Sequence, residues 1–107
     1  MDESVQKNLK PELGDVSRLL LKAADLIEEH GWCQVSAVDE RGRICMLQAM
    51  GRAEVELFGP DGSRSVSLVS DEKIADAVGW PIYRWNDAAG RTQEEVVAKL
   101  RAVALGG

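Results

Sequence analysis

The fold is decided by residues 15–31, which read DVSRLLLKAADLIEEHG. Apolar residues recur there at intervals of three and four, the spacing that places side chains on one face of a helix. These residues are Val16, Leu19, Leu20, Ala23 and Ile27. Asp15 can act as the N-cap, and Gly31 stands where a left-handed C-cap belongs. The pattern predicts an amphipathic helix over about residues 16–30.

A second helix is indicated near the end of the chain, where residues 92–95 read TQEE. The Thr92 hydroxyl can accept a hydrogen bond from the Glu95 amide, and the Glu95 carboxylate can accept one from the Thr92 amide. The apolar stripe that follows this capping box consists of Val96, Leu100 and Val103, widened by Val97 and Ala104. We therefore expect a helix that starts at the capping box and ends before Gly106 and Gly107.

The segment after the first helix can be interpreted as a short β-hairpin. Residues 32–38, WCQVSAV, include β-branched and aromatic residues, which favour strands. Residues 39–42, DERG, can turn the chain before a second short strand at residues 43–45.

Two more helices are predicted in the middle of the chain. Residues 44–58 place apolar side chains on one helical face, and we prefer this interpretation although part of the segment also alternates as a strand would. After a turn at residues 59–62, residues 66–78 fit a helix that ends at Gly79 better than they fit a strand. The sequence thus predicts a mainly α (α+β) fold, a small compact helical domain of about four helices.

The composition indicates one domain. The chain has 107 residues, of which 45% are hydrophobic, a length that suits a single modest core. Residues 1–14 are polar and contain Pro11, so we assign them to an N-terminal tail and residues 15–107 to one globular domain.

Charge and hydropathy exclude several kinds of partner. The chain carries 18 acidic against 13 basic residues, a net charge of −5 without a basic segment, so no nucleic-acid partner is expected. No apolar run approaches the roughly 20 residues of a membrane-spanning helix, and no secretory signal is recognisable. We expect a cytoplasmic protein without a membrane partner. In that reducing compartment Cys33 and Cys45 should be thiols.

No complete catalytic or metal-binding set can be read from the sequence. His30, Cys33 and Cys45 are too few for a four-ligand zinc site, and their spacing does not provide a thiol with a base. Paired carboxylates such as Glu28-Glu29 are adjacent on a helix and point about 100° apart, so they cannot act together as acid and base. We therefore predict no cofactor and no metal, and favour a protein that is not an enzyme.

The most unusual local sequence is residues 79–92, GWPIYRWNDAAGRT, which holds two of the three Trp and the one Tyr. A structural interpretation has Trp85 anchored in the core, a turn from Asp87 to Gly90, and an ion pair from Arg91 to Asp87 or a nearby carboxylate. A functional alternative is a small enzyme or anionic-ligand binder. In it, Asn86, Asp87 and Arg91 converge at a helix N-terminus to bind a phosphate or carboxylate.

Two segments of the chain resemble a known family. The stretches LLLKAADLIEEHGWCQ (residues 19–34) and WNDAAGRTQEEVVAKL (residues 85–100) look like a family of small uncharacterised proteins of actinobacteria and their phages, marked by Trp-Asn-Asp followed by Gly-Arg-Thr. The resemblance implies a mostly helical domain in which the two end segments pack together, and a phage or mobile-element origin. It implies no reaction. Residues 46–78 fall outside the pattern and could determine the choice of partner.

These observations favour a binding module over an enzyme. Trp80, Tyr83 and Arg84 belong to the residue types that anchor protein interfaces, and they cluster in a chain with few other aromatic residues. We expect these three residues, together with Asn86, Asp87 and Arg91, to contact another intracellular protein. A host protein would be the target if the chain is a phage accessory protein. A homodimer is compatible with either function.

Overall fold

The computed structural model describes residues 13–106. This part of the chain forms five helices, which are α1 Leu13–His30, α2 Met46–Phe58, α3 Arg64–Val78, α4 Ile82–Asn86 and α5 Gln93–Ala104. The mainly helical prediction is confirmed, and the number of helices exceeds the expected four because the short α4 was not predicted. The expected polar tail lies outside the described residues except for its last two. Within the described range, no helix is long and apolar enough to cross a membrane.

The first helix begins earlier than predicted. It starts at Leu13, so Asp15 lies in the first helical turn and is not the N-cap. A carboxylate is favourable in that turn because it faces the positive end of the helix dipole, and Asp15 also pairs with Arg18 at 3.0 Å. The predicted C-cap is confirmed. Gly31 has a φ of +89°, and its amide donates to the Ile27 carbonyl at 2.7 Å.

The core is organised around α1, which packs most extensively against α5 and α2. The largest side chains that are fully buried include Leu19, Leu20, Ile27, Ile44, Met46, Ile74, Ile82 and Leu100. The two end segments therefore pack together, as the resemblance implied. Polar contacts at the edges of this interface add to the packing. Ser17 Oγ donates to the Ala104 carbonyl at 2.6 Å, and Arg101 pairs with both Asp25 and Glu28.

The two helices predicted in the middle of the chain are confirmed as α2 and α3. Their ends follow the sequence signals, since α2 is followed by Gly59 and α3 by Gly79. The predicted capping box of α5 is also present. Glu95 N donates to Thr92 Oγ1 at 3.2 Å, and Thr92 N donates to Glu95 Oε1 at 3.0 Å.

Residues 31–45 form an irregular loop, which we call the connecting loop, and do not show the short β-hairpin as which this segment could be interpreted. Within it, Ile44 makes two isolated bridges, a parallel one with Trp32 and an antiparallel one with Val38. An extended strand is interrupted because Val35 has a φ of +74°. The chain reverses its direction in a turn after Asp39. The Asp39 carboxylate stabilises this turn by accepting hydrogen bonds from two backbone amides of the loop.

Candidate functional site

Asn86 lies at the centre of the candidate site as the last residue of α4. Its side chain is 2% exposed and is fully hydrogen-bonded. Oδ1 accepts from Trp32 Nε1 at 2.7 Å and from the Met46 amide at 3.0 Å. Nδ2 donates to the Cys33 carbonyl at 3.2 Å and to Asp87 Oδ1 at 2.9 Å. Because an amide side chain has two donor and two acceptor positions, Asn86 uses its whole capacity to join the connecting loop, α2 and α4.

Two further side chains hold the connecting loop against the end of α4. Gln34 Nε2 donates to the backbone carbonyls of Asn86 at 3.1 Å and Ala88 at 2.9 Å. Asp87 Oδ1 accepts from the Val35 amide at 2.9 Å. The position of the loop is therefore specified by side chains rather than by a β-ladder.

Val35 has a backbone conformation that is rare for its residue type. Its φ of +74° lies in the left-handed region, and its side chain is 88% exposed. A β-branched residue is disfavoured there because Cβ approaches the backbone carbonyl. The hydrogen bond from its amide to Asp87 holds this conformation. A strained, exposed apolar residue is a feature that clusters at functional sites.

A cleft of about 300 Å³ opens between the connecting loop, α2 and α4. Exposed apolar residues from each of these elements form its walls, namely Val35, Leu47 and Tyr83. The rest of the lining is more polar and consists of Ser36, Ala37, Cys45, Gln48, Asn86 and Asp87. We call this feature the Tyr83 cleft. Apolar walls with a few polar groups are typical of sites that bind a side chain or a small ligand.

The contact residues predicted from the sequence in residues 80–84 face solvent. Trp80 is 74% exposed, Tyr83 is 56% exposed, and Arg84 is exposed as well. In contrast, Ile82 and Asn86 are buried on the inner side of α4. The short helix α4 therefore buries Ile82 and Asn86 on one side and exposes Tyr83 on the other. Neither Trp80 nor Arg84 lines the cleft itself.

Arg91 is engaged away from the cleft. Its guanidinium carbon lies 4.0 Å from the centre of the Trp85 ring, and its Nε donates to the Trp85 carbonyl at 3.0 Å. Its ion pair is with Glu95 at 3.2 Å, not with Asp87. Trp85 is partly buried and packs on the core, as predicted. The structure thus brings Asn86 and Asp87 together at the cleft, whereas Arg91 is not among the residues that line it.

Cys33 is a buried thiol within the connecting loop. Burial raises the pKa of the Cys33 thiol above its ordinary value, and the nearby Asp39 carboxylate acts in the same direction. Its Sγ lies 3.2 Å from the carbonyl oxygens of both Ser36 and Arg43. These features describe a protonated thiol that donates to the backbone of the loop.

Cys45 is a free thiol that caps α2. Its Sγ accepts from the Gln48 amide at 3.4 Å, and it also lines the Tyr83 cleft. His30 lies at the end of α1 and does not line the cleft. Among residues 13–106 there is no group of three or more His, Cys, Asp and Glu that could hold a metal ion.

Sequence reasoning missed several residues that build the site. Leu47 and Gln48 reach the cleft from α2, and Gln34 positions the loop. Gln93 accepts from the Trp32 amide at 3.1 Å and so ties the loop to α5. A glutamine with several hydrogen-bond options carries no local signal of its partner, because the partners lie more than 50 residues away in the chain. The polar character of Gln34 within the mostly apolar residues 32–38 was the one available sign.

Comparison with known proteins gives a family without an assigned activity. The sequence model of a family of unknown function, DUF6197, matches residues 11–105. No curated protein and no solved structure gives a significant match. The match covers both segments that carried the resemblance, while the expected actinobacterial or phage origin stays a prediction.

Proposed function

The chain belongs to this family of unknown function, and from that premise we propose that it is a small protein-binding module whose contact surface is the Tyr83 cleft together with Trp80. In this proposal the partner inserts a side chain into the cleft and covers the aromatic rings beside it. Arg84 follows Tyr83 in the chain and is exposed, so its guanidinium is free to contact the partner as well.

The observation that carries this proposal is the exposure of Tyr83 at a cleft with apolar walls and of Trp80 three residues before it in the chain. Large aromatic side chains are normally buried to a considerable degree, and those that contribute strongly to binding are most often Trp, Tyr and Arg. Core packing does not account for either ring at this exposure. Binding to another protein would remove their apolar surface from water.

The conformation of Val35 is a second observation in favour of a contact surface at the Tyr83 cleft. The strain of its backbone costs about 1–3 kcal/mol, and the residue gains no burial in return. Its conformation places an apolar side chain at the wall of the cleft. A contact with a partner would give this exposed side chain a role that folding alone does not.

The anionic-ligand alternative has less support from the geometry. It requires Asn86, Asp87 and Arg91 to converge on one ligand, yet Arg91 pairs with Glu95 and stacks on Trp85. Asn86 has no free donor for a phosphate or carboxylate, and the Asp87 carboxylate would repel one. We therefore favour the protein partner.

The charge of the chain bears on the class of its partner. We infer a cytoplasmic partner protein and no nucleic-acid or membrane partner, because the chain is acidic and has no basic segment. If the chain is of phage origin, as the resemblance implies, the partner is a host protein. A second copy of the chain is the competing occupant of the same surface.

Affinity capture from a lysate of the cells that encode the chain tests this function. The bait variants are Trp80→Ala/Tyr83→Ala and, as a matched control, Val55→Ala/Leu68→Ala. The control residues are exposed apolar side chains, 47% and 52%, that do not line the cleft. Each variant is first checked for an unchanged melting temperature.

We expect one protein to be captured by the wild type and the control and to be lost with the Trp80→Ala/Tyr83→Ala variant. Truncating central interface aromatics removes at least about 2 kcal/mol of binding free energy, enough to abolish capture of a micromolar partner. Equal capture by all three folded baits would show that the surface is not the binding site.

A further inference from the structure

The Tyr83 cleft has a charge as well as a shape. Of the residues that line it in the described chain, Asp87 alone carries a formal charge at neutral pH. Its Oδ1 accepts from the Val35 amide and from Asn86 Nδ2, both at 2.9 Å. These two bonds fix the carboxyl group at the cleft and leave Oδ2 without a protein donor among the described residues.

No cationic side chain of residues 13–106 forms an ion pair with this carboxylate. The described ion pairs do not include Asp87. The nearest basic residues along the chain are Arg84 and Arg91, and neither lines the cleft. Arg91 is already paired with Glu95. A partly buried carboxylate without a counter-ion attracts a cationic or hydrogen-bond-donating group of a ligand more strongly than a fully solvated one does.

The other groups of the cleft fit the same kind of ligand. Val35, Leu47 and Tyr83 offer an apolar wall, and the electron-rich face of a Tyr ring also attracts an ammonium or guanidinium group. A volume of about 300 Å³ is at the small end for a ligand site, so the cleft suits one or two side chains rather than a large cofactor. The net charge of −5 favours encounter with a basic partner.

Resting on the function proposed above, we propose that the Tyr83 cleft binds a short protein segment in which an apolar side chain is accompanied by a lysine or arginine. The apolar side chain packs between Val35, Leu47 and Tyr83. The cation pairs with Asp87 Oδ2. The charge at the cleft thus selects against acidic segments by leaving two carboxylates face to face.

A display library of random twelve-residue peptides tests the specificity. Selection is carried out on the wild type, on Asp87→Asn and on Tyr83→Ala. Asp87→Asn is a matched control because its amide oxygen can still accept from the Val35 amide and Asn86 Nδ2, so the connecting loop keeps its bonds while the charge is lost. Tyr83→Ala removes an exposed wall residue and should leave the fold intact.

We expect the wild type to select peptides with a basic residue close to an apolar one, and Asp87→Asn to lose the preference for the basic residue alone. A selected peptide is then synthesised with its basic residue intact or replaced by glutamine. The replacement should weaken binding to the wild type about tenfold and leave binding to Asp87→Asn unchanged within about twofold, which is the signature of a direct pair.

The outcomes separate this inference from the proposed function. Peptides that depend on Tyr83 but show no basic preference would overturn the role of Asp87 and leave a protein-binding cleft. Absence of any Tyr83-dependent peptide would overturn the short-segment inference, and the capture experiment would still decide the proposed function. Concentration-dependent dimerisation that is abolished by Tyr83→Ala would show that a second copy occupies the cleft instead.

Discussion

Asn86 connects parts of the chain that lie far apart in sequence. Its Oδ1 atom is the acceptor for the Trp32 indole, 54 residues away, and for the Met46 amide, 40 residues away. Both donors would lose their acceptor if this side chain were removed. A donor that is buried without an acceptor costs about 1–3 kcal/mol.

We therefore predict that Asn86→Ala lowers the free energy of unfolding by about 3 kcal/mol or more. Gln93→Ala should cost about 1 kcal/mol, because it removes one hydrogen bond, that to the Trp32 amide. Urea denaturation followed by circular dichroism measures both values. Equal losses for the two variants would contradict the central role of Asn86.

Val35 allows stability and binding to be separated at one residue. Replacing it with glycine relieves the left-handed strain, which exceeds the entropic cost of glycine, so Val35→Gly should raise the free energy of unfolding by about 1 kcal/mol. Val38→Gly in the same loop has no such strain to relieve and should lower it. Thermal denaturation compares the two, and a destabilised Val35→Gly would argue against strain. The stabilised variant should bind the partner more weakly.

At the residue scale, the sequence indicated which region matters but not what each residue does. Trp80 and Tyr83 were predicted as contact residues, and both face solvent, while the contact itself stays a prediction. Asn86 was predicted as a binding residue; it lines the cleft, and its side chain also joins distant parts of the fold by hydrogen bonds. That role depends on donors brought together by the tertiary structure, which no local pattern records.

Among the helices, α5 is stabilised by a side-chain hydrogen bond at its N-terminus. The Thr92 hydroxyl accepts from the Glu95 amide at 3.2 Å, a bond that satisfies one of the free amides of the first turn. Thr92→Ala should lower the free energy of unfolding by about 1 kcal/mol. Ser63 has the same position before α3 but makes no capping bond through its side chain, so Ser63→Ala should have little effect. Similar melting temperatures for the two variants would contradict the capping role.

At the interface of α2 and α3, the contribution of Asp71 to the free energy of unfolding depends on pH. Burial raises the pKa of Asp71 above its ordinary value of 3.8, and the negative charge of Glu54 acts in the same direction. A raised pKa in the folded state means that folding favours the protonated form. The contribution of Asp71 to stability is therefore fully present below its unfolded pKa and is lost as the pH rises through its folded pKa.

From this we predict that Asp71→Asn is more stable than the wild type at neutral pH. The gain in melting temperature should disappear at about pH 3, where the wild-type carboxyl is protonated in both states. Glu72→Gln changes an exposed carboxyl on the same helix and serves as the control. A gain for Asp71→Asn that is constant from pH 3 to pH 7 would rule out titration as the cause.

Helix boundaries show what local chemistry can predict. Gly31, Gly79 and the capping box at Thr92 each mark a helix end where the sequence predicted one. The five residues of α4 were missed because such a short helix shows no periodicity. The connecting loop was missed because its shape is set by contacts from Asn86 and Asp87 in a distant part of the chain.

For the whole molecule, the family resemblance implied the packing of α1 against α5, whereas nothing in the sequence indicated the cleft. In the structure the apolar face of α1 packs against both α5 and α2. The Tyr83 cleft is assembled from three separate segments, with Val35 from the loop, Leu47 from α2 and Tyr83 from α4. A concave surface of this kind exists only after those segments have packed.

The central claim is that a partner protein binds at the Tyr83 cleft. The most direct test is the dissociation constant of the captured partner, measured by isothermal titration calorimetry for the wild type, Tyr83→Ala and Leu68→Ala. Tyr83 and Leu68 have similar exposure, 56% and 52%, but Leu68 does not line the cleft. We predict that Tyr83→Ala weakens binding at least about tenfold while Leu68→Ala leaves it unchanged. Equal dissociation constants for all three folded proteins would contradict the claim.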